Sequence, residues 1–195
     1  MGREFELKYR ATPQIQAALR QRFTGFCQFQ MQTTYFDTPD GSLSAHKITL
    51  RLRKENDVTV CTLKTPLPDG SRGEWECHAD DIAAGLSQLR ALGAPLAAIA
   101  LAQQPLIALC GAKFTRFAAE LPTADGTAEL ALDAGVLLGG DKELPLCEVE
   151  IELKTGSDAA AQALADTIAA EYGLIPERAS KFRRASALAK GEKAW

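Results

Sequence analysis

The chain is short of the residues on which soft-metal and nucleophile chemistry depends. It has two histidines, His46 and His78, and five cysteines, Cys27, Cys61, Cys77, Cys110 and Cys147. No two cysteines form a Cys-x-x-Cys pair and neither histidine is spaced from them like a ligand, which leaves no zinc motif. Five is an odd number, so the cysteines read as reduced thiols and a cytoplasmic location is expected. No apolar run approaches the roughly 20 residues of a membrane-spanning helix. Met1-Gly2-Arg3-Glu4 passes directly into charged sequence, so no secretory leader is expected, and Glu6 stands where myristoylation of Gly2 wants Ser or Thr. A basic surplus is missing too. Lys and Arg number 22 against 25 Asp and Glu, a net charge of −3, which offers no general attraction to nucleic acid or to an anionic membrane. There is no low-complexity linker. At 195 residues the chain is read as one domain, with a helical insertion at about 80–110 and C-terminal helices at about 157–190.

What the chain does have is alternation. Glu148-Val149-Glu150-Ile151-Glu152-Leu153-Lys154 switches between charged and apolar at every step, the period of a strand. Side chains at i and i+2 of a strand share a face about 6 to 7 Å apart, so Glu148, Glu150 and Glu152 form a comb of carboxylates opposite Val149, Ile151 and Leu153. The N-terminus is built alike, with Glu4, Glu6 and Lys8 against Phe5, Leu7 and Tyr9. One such strand alone is an ordinary half-wet strand. If the two combs lie side by side with little water, each neighbouring like-charge pair costs about 2 to 3 kcal/mol at an effective dielectric near 20, and a cation must hold them together.

In chain order, residues 3–11 are the first strand, and Thr12 with Pro13 opens a helix striped by Ile15, Ala18, Leu19 and Phe23. Residues 26–37 read as a strand leaving through Tyr35-Phe36-Asp37-Thr38. Residues 47–55 alternate around a basic comb that includes Arg51 and Arg53, and Asn56-Asp57 turns them into a hairpin with 58–65, where Thr62 and Lys64 share a face. After a Pro-Asp-Gly turn at 68–70, Arg72, Glu74 and Glu76 share the polar face of the next strand. Residues 80–110, rich in Ala and Leu, read as two or three short helices. Strands follow at 112–121, 127–138 and 145–154, with a break at Gly139-Gly140. Ser157 caps a helix to about Tyr172, and Pro176 begins a last helix carrying Lys181, Arg183 and Arg184. The class is α+β, and an eight-stranded antiparallel barrel with a polar interior, wrapped by helices, satisfies every strand. An open sheet with one wet face satisfies the periodicity equally well.

The polar face collects the acids Glu4, Glu6, Glu74, Glu76, Glu129, Asp133, Glu148, Glu150 and Glu152 and the bases Lys8, Arg51, Arg53, Lys64, Arg72, Lys113 and Arg116. Oxygen-only ligands suit Mg²⁺ or Mn²⁺ rather than zinc. Arginine forks match phosphate oxygens two at a time. Catalysis of phosphoryl transfer is mostly positioning and charge neutralisation, so the residues point to a metal-dependent phosphohydrolase or phosphotransferase acting on a compact phosphate chain.

Taken together, Glu4-x-Glu6-x-Lys8, Tyr35-Phe36-Asp37-Thr38, Leu50-Arg51-Leu52-Arg53, Thr62-Leu63-Lys64, Glu129-x-x-x-Asp133, Glu148-x-Glu150-x-Glu152 and Ser180-Lys181 resemble the CYTH domain, or triphosphate tunnel metalloenzyme, family, closest to bacterial inorganic triphosphatases. The resemblance spans almost the whole chain in order. It implies an eight-stranded tunnel in which Glu4, Glu6, Asp133, Glu148, Glu150 and Glu152 are metal ligands for Mg²⁺ or Mn²⁺. Lys8, Arg51, Arg53, Lys64, Arg116 and Lys181 would bind triphosphate, and Lys8, Glu74 and Glu150 would take part in catalysis, Glu74 by placing a second metal or the attacking water. The implied reaction is hydrolysis by in-line attack of water on a terminal phosphorus, with no Ser, Cys or His nucleophile. Alternatives within the family are an adenylyl cyclase, for which no purine-reading constellation is evident, and a thiamine or nucleoside triphosphatase, where Trp75 is the obvious aromatic seat. A non-catalytic polyphosphate-binding module is the alternative outside enzymes. The small-molecule triphosphate is the expected partner, and the oligomeric state is open, a homodimer included.

Overall fold

The computed structural model describes residues 2–3, 5–67 and 72–192. Glu4 and the turn at 68–70 lie outside them. Alternation produces one antiparallel sheet. Its strands are β1 (Gly2–Arg3), β2 (Glu6–Arg10), β3 (Cys27–Asp37), β4 (Thr49–Glu55), β5 (Val58–Pro66), β6 (Arg72–His78), β7 (Ile107–Pro122), β8 (Thr127–Gly139), β9 (Lys142–Thr155) and β10 (Ile175–Pro176). Their spatial order is β1-β6-β5-β4-β3-β7-β8-β9-β2-β10. Among the described residues eight strands have five residues or more and two are two-residue pieces.

The expected closed barrel is not formed. Among the described residues no ladder joins β2 to β6, because the N-terminal segment divides its pairing. Gly2 and Arg3 pair with Glu74 and Gly73 of β6, whereas Glu6–Arg10 pairs with β9. The sheet is therefore open in its hydrogen bonding yet strongly curled. Three Cα–Cα steps lead from Arg3 to Glu6, a reach of about 10 Å, so the two ends of the sheet approach each other within that span.

Of the six helices among the described residues, four are started by side-chain caps. Thr12 caps α1 (Pro13–Arg22) by accepting from the Ile15 amide, Asp81 caps α3 (Ile82–Ala91), and Ser157 caps α5 (Asp158–Tyr172), which ends at Gly173 with a left-handed φ of 62°. Between α1 and α3 lies α2 (Ser42–Ala45), a single turn that periodicity did not announce. It is held by Asp37, buried at the end of β3, whose carboxylate accepts from the amides of Thr38, Leu43 and Ser44 and from the Ser44 hydroxyl. Asp37, with Thr38 whose hydroxyl accepts from the Ser42 amide, is thus a structural clamp. α4 spans Leu96–Ala102.

The apolar side of the sheet is covered in two patches. Leu50, Leu63, Cys61 and Trp75 pack beneath α3 and α4, and Leu130, Leu132, Val149 and Ile151 beneath α1 and α5. Each fully buried leucine or isoleucine contributes about 1.5–3 kcal/mol, enough to determine which strand face turns inward and therefore which side the charges share. The last helix, α6 (Lys181–Ala189), is capped by Ser180 and packs on the opposite, concave side, where Phe182 and Ala185 join Met31, Tyr35 and Phe114. The final helix therefore starts at Lys181, and Pro176 belongs to β10 at the sheet edge.

Candidate functional site

Register brings the two acidic combs together. Directly opposed residues of an antiparallel sheet share a face. Glu129, Glu152 and Glu6 form one row across β8, β9 and β2; Ala131, Glu150 and Lys8 form the next; Asp133, Glu148 and Arg10 the third. At the far side of the curl a second set of rows runs Thr49, Lys64, Glu74 and then Arg51, Thr62, Glu76 across β4, β5 and β6. Acids and guanidinium groups consequently face one another across a cavity of about 370 Å³.

Of the residues singled out in the sequence, Glu6, Lys8, Arg51, Arg53, Lys64, Glu74, Arg116, Glu150, Glu152 and Lys181 all line this cavity. Asp133 and Glu148 are sealed below it, at 0 % and 1 % exposure. With Glu150 they offer three carboxylate oxygens within 4.8 Å of one another. Arg72 and Glu76, two more charges of the polar face, line the cavity as well. Lys113 does not belong to the polar face. It is exposed, and Phe114, Arg116 and Ala118, one step out of phase with it, face the cavity instead. Trp75 is 3 % exposed in the core under α3, so it offers no seat for an organic cation in the cavity. His46 and His78 are exposed and outside the lining.

The acid cluster is charge-compensated from three directions. Arg116 makes a two-pronged contact with Asp133 at 2.8 and 2.7 Å and reaches Glu150 at 2.6 Å, the planar fork that guanidinium supplies. Lys181 lies 2.8 Å from Asp133, 2.7 Å from Glu148 and 2.6 Å from Glu150. Lys8 stands 3.3 Å from Glu6 and 3.4 Å from Glu150. On the basic side Lys64 pairs with Glu74 at 3.0 Å, Arg51 with Glu76 and Glu74 at 3.3 and 3.5 Å, and Arg53 with Glu55 at 2.6 Å.

Titration follows this layout. Burial and the nearby Glu150 carboxylate push Glu6 up to about 7, with Lys8 and Lys181 only partly opposing them. Burial would raise Glu150, but Lys181, Lys8 and Arg116 outweigh it and hold that carboxyl well below its ordinary value. Glu76, likewise desolvated, is brought down to about 2 by Arg51, the Thr62 hydroxyl and Arg53. For Lys181, desolvation is overcome by Asp133, Glu150 and Glu148, so the ammonium is held charged.

Three contributors escaped the sequence reading. Gln16 of α1 is buried and its amide donates to the backbone carbonyls of Asp133 and Glu148, at 2.9 and 2.8 Å, bracing both strands behind the acids. Arg184 of α6 is buried against Glu148, and Glu177 is buried between Arg10 and Arg184. A lone glutamine on a helix carries no sequence signal. Glu177 and Arg184 could have been found only by placing α6 on the concave side.

Comparisons with known proteins agree with this architecture. An inorganic triphosphatase of Haemophilus influenzae is 30% identical, over 94% of this chain and 54% of that protein, so the chain spans about half the length of that curated relative. Two solved structures share the fold. A candidate adenylyl cyclase of Hippeastrum, described with a dominant triphosphatase activity, has a TM-score of 0.66 at 19% identity and 97% coverage of both chains. A candidate adenylate cyclase of Bacillus halodurans has a TM-score of 0.60 at 21% identity, covering 92% of this chain and 96% of its own. The CYTH domain pattern matches residues 2–186, and the chain belongs to the CYTH domain family.

Proposed function

We propose that the protein hydrolyses inorganic triphosphate to diphosphate and phosphate with a divalent cation, Mg²⁺ or Mn²⁺. The observation that carries this reading is one cavity in which Glu6, Glu129, Glu150 and Glu152 on β2, β8 and β9 stand opposite Arg51, Arg53 and Lys64 on β4 and β5. A protein that merely held a polyanion would have no use for the carboxylates. The donor set fits a hard cation: it is oxygen-only, and three of its oxygens lie within 4.8 Å of one another. Glu6, Glu150 and Glu152 would hold the ion from the cavity side, with Asp133 and Glu148 beneath. Such an ion neutralises phosphate charge and makes water a better nucleophile near neutral pH.

The chain's own residues account for the rest. Arg51, Arg53 and Lys64 take phosphate oxygens along the basic side, and Lys8 and Arg116 meet the phosphate next to the acids. Glu74, 3.0 Å from Lys64, is the carboxylate best placed on the basic side to orient water and accept its proton. In the free protein these cations are paired with carboxylates of the same cavity, so substrate entry exchanges carboxylate for phosphate partners rather than charging an empty basic pocket. The test is phosphate release with Mg²⁺ from tripolyphosphate, ATP and thiamine triphosphate side by side. Preference for tripolyphosphate, lost by at least about 100-fold in Glu6→Gln, supports the reading; full activity of that variant removes the metal site, and preference for ATP makes the family's nucleotide reading the better one.

A further inference from the structure

α6 sends two cations into the acid cluster, and they differ in standing. Lys181 lines the cavity, and its Nζ contacts one oxygen each of Asp133, Glu148 and Glu150 at 2.6 to 2.8 Å. The same three residues offer carboxylate oxygens within 4.8 Å of one another, so the ammonium stands among the groups from which a small hard cation would collect its ligands. Arg184 approaches from behind and is not part of the cavity lining. It holds Glu148 Oε1 with one nitrogen and lies 3.9 Å from Glu177 with another. Glu177 is itself fixed: its carboxylate accepts from the Ala179 amide at 2.9 Å and from Arg10 at 2.8 Å, and its own amide donates to the Lys8 carbonyl.

We propose that Lys181 is an exchangeable counter-ion occupying the cation position of the free protein, so that a divalent cation enters as Lys181 leaves, while Arg184 stays on Glu148 in both states. The inference deepens, and rests on, the metal-dependent reading above. Three carboxylates at 5 % exposure or less need compensating charge at all times, because removing one partner of a buried ion pair leaves an uncompensated charge. An ammonium and a divalent ion cannot share the space between the same three oxygens. The guanidinium is tethered on both sides, whereas the lysine has a flexible four-carbon stem and a cavity beside it into which to swing. A phosphate chain in that cavity would give the displaced ammonium a new anion, so cation and substrate assist each other through Lys181 without needing a shared contact.

The test uses Mn²⁺ alone, without substrate, on the whole chain, with binding measured by calorimetry and melting temperature followed in parallel. Lys181→Met should bind Mn²⁺ at least about tenfold more tightly than wild type, melt at a lower temperature in chelator, and gain more on adding Mn²⁺. Lys113→Met removes a cation that is exposed on β7 and outside the cavity lining, and should stay within about threefold of wild type. Unchanged or weaker binding by Lys181→Met overturns the exchange; equal tightening by Lys113→Met also overturns it, since loss of any charge would then suffice. If Lys181→Met does not fold, amine acetylation of the wild type mapped by mass spectrometry replaces it. Saturating Mn²⁺ should then raise labelling of Lys181 relative to exposed Lys142, and unchanged labelling sinks the proposal. Neither readout involves turnover, so a wild type inactive on tripolyphosphate would count against the proposed reaction only.

Discussion

At the scale of single residues, Glu6 and Glu150 divide a proton unequally. Glu6 is raised to about 7 by burial and by Glu150, while Glu150 is kept ionised by Lys181 and Lys8 in spite of its own burial. A carboxyl raised in the folded state holds protons that the unfolded chain has already released between about pH 4.5 and 7, so in metal-free protein its contribution to stability falls as pH rises through that window. Glu76, brought down to about 2, acts in the other direction: its contribution is present above about pH 4.5 and is lost as pH falls towards 2. Urea unfolding in chelator at pH 4.5 and 7.5 should show that Glu6→Gln loses less stability over that interval than wild type, by on the order of 2–3 kcal/mol. Parallel pH profiles would contradict the assignment. Arg116 bears on the same cluster differently, as the partner of both Asp133 and Glu150. Arg116→Met leaves two buried carboxylates short of a cation and should cost about 3–5 kcal/mol; a loss under about 1 kcal/mol in chemical denaturation would mean the cluster does not depend on it.

Among elements, α6 is the one whose position matters most. It docks where β8 presents Gly139, and a Cβ there would meet the Ala189 amide nitrogen at 2.5 Å and the Ala185 carbonyl oxygen at 2.8 Å. Both are backbone atoms of the helix, so the helix itself would have to shift. Gly139→Ala should therefore lower stability by about 1–3 kcal/mol and loosen α6, seen as faster hydrogen exchange over residues 181–189. Wild-type exchange in that segment would show that α6 tolerates the extra methyl. The glycine pair at 139–140 reads in sequence as a strand break, yet Gly139 is still strand and only Gly140, with φ of 63°, turns. Pro176 misleads for a related reason. Proline suits the first turn of a helix, but it equally suits a sheet edge where its missing donor is not needed, and β10 is that edge. Strand faces, by contrast, were legible from alternation almost throughout, Lys113 excepted, because a one-residue error in phase would bury charge and expose leucine.

For the molecule as a whole, the cavity works as a balance of opposite charges held at fixed spacing by the curled sheet. Acids and bases pair along each wall of it, so a divalent ion or a polyanion alone must break ion pairs without replacing all of them, whereas the two together replace both halves. The rise in melting temperature with Mg²⁺ plus tripolyphosphate should exceed the sum of the rises with each alone. Strictly additive shifts would argue that the two ligands do not share this cavity.

From the amino-acid order alone come the α+β class, the helix caps at Thr12 and Ser157, and the chemical character of the site, because period-two alternation and short-range hydrogen bonds are local properties of the chain. Only the tertiary structure decided that the combs from both ends of the chain meet in register, that the sheet curls without closing its ladder, and that α6 brings Lys181 and Arg184 onto buried Glu148. Those outcomes depend on contacts between residues 31 or more positions apart, and no local pattern encodes which strand will be the neighbour.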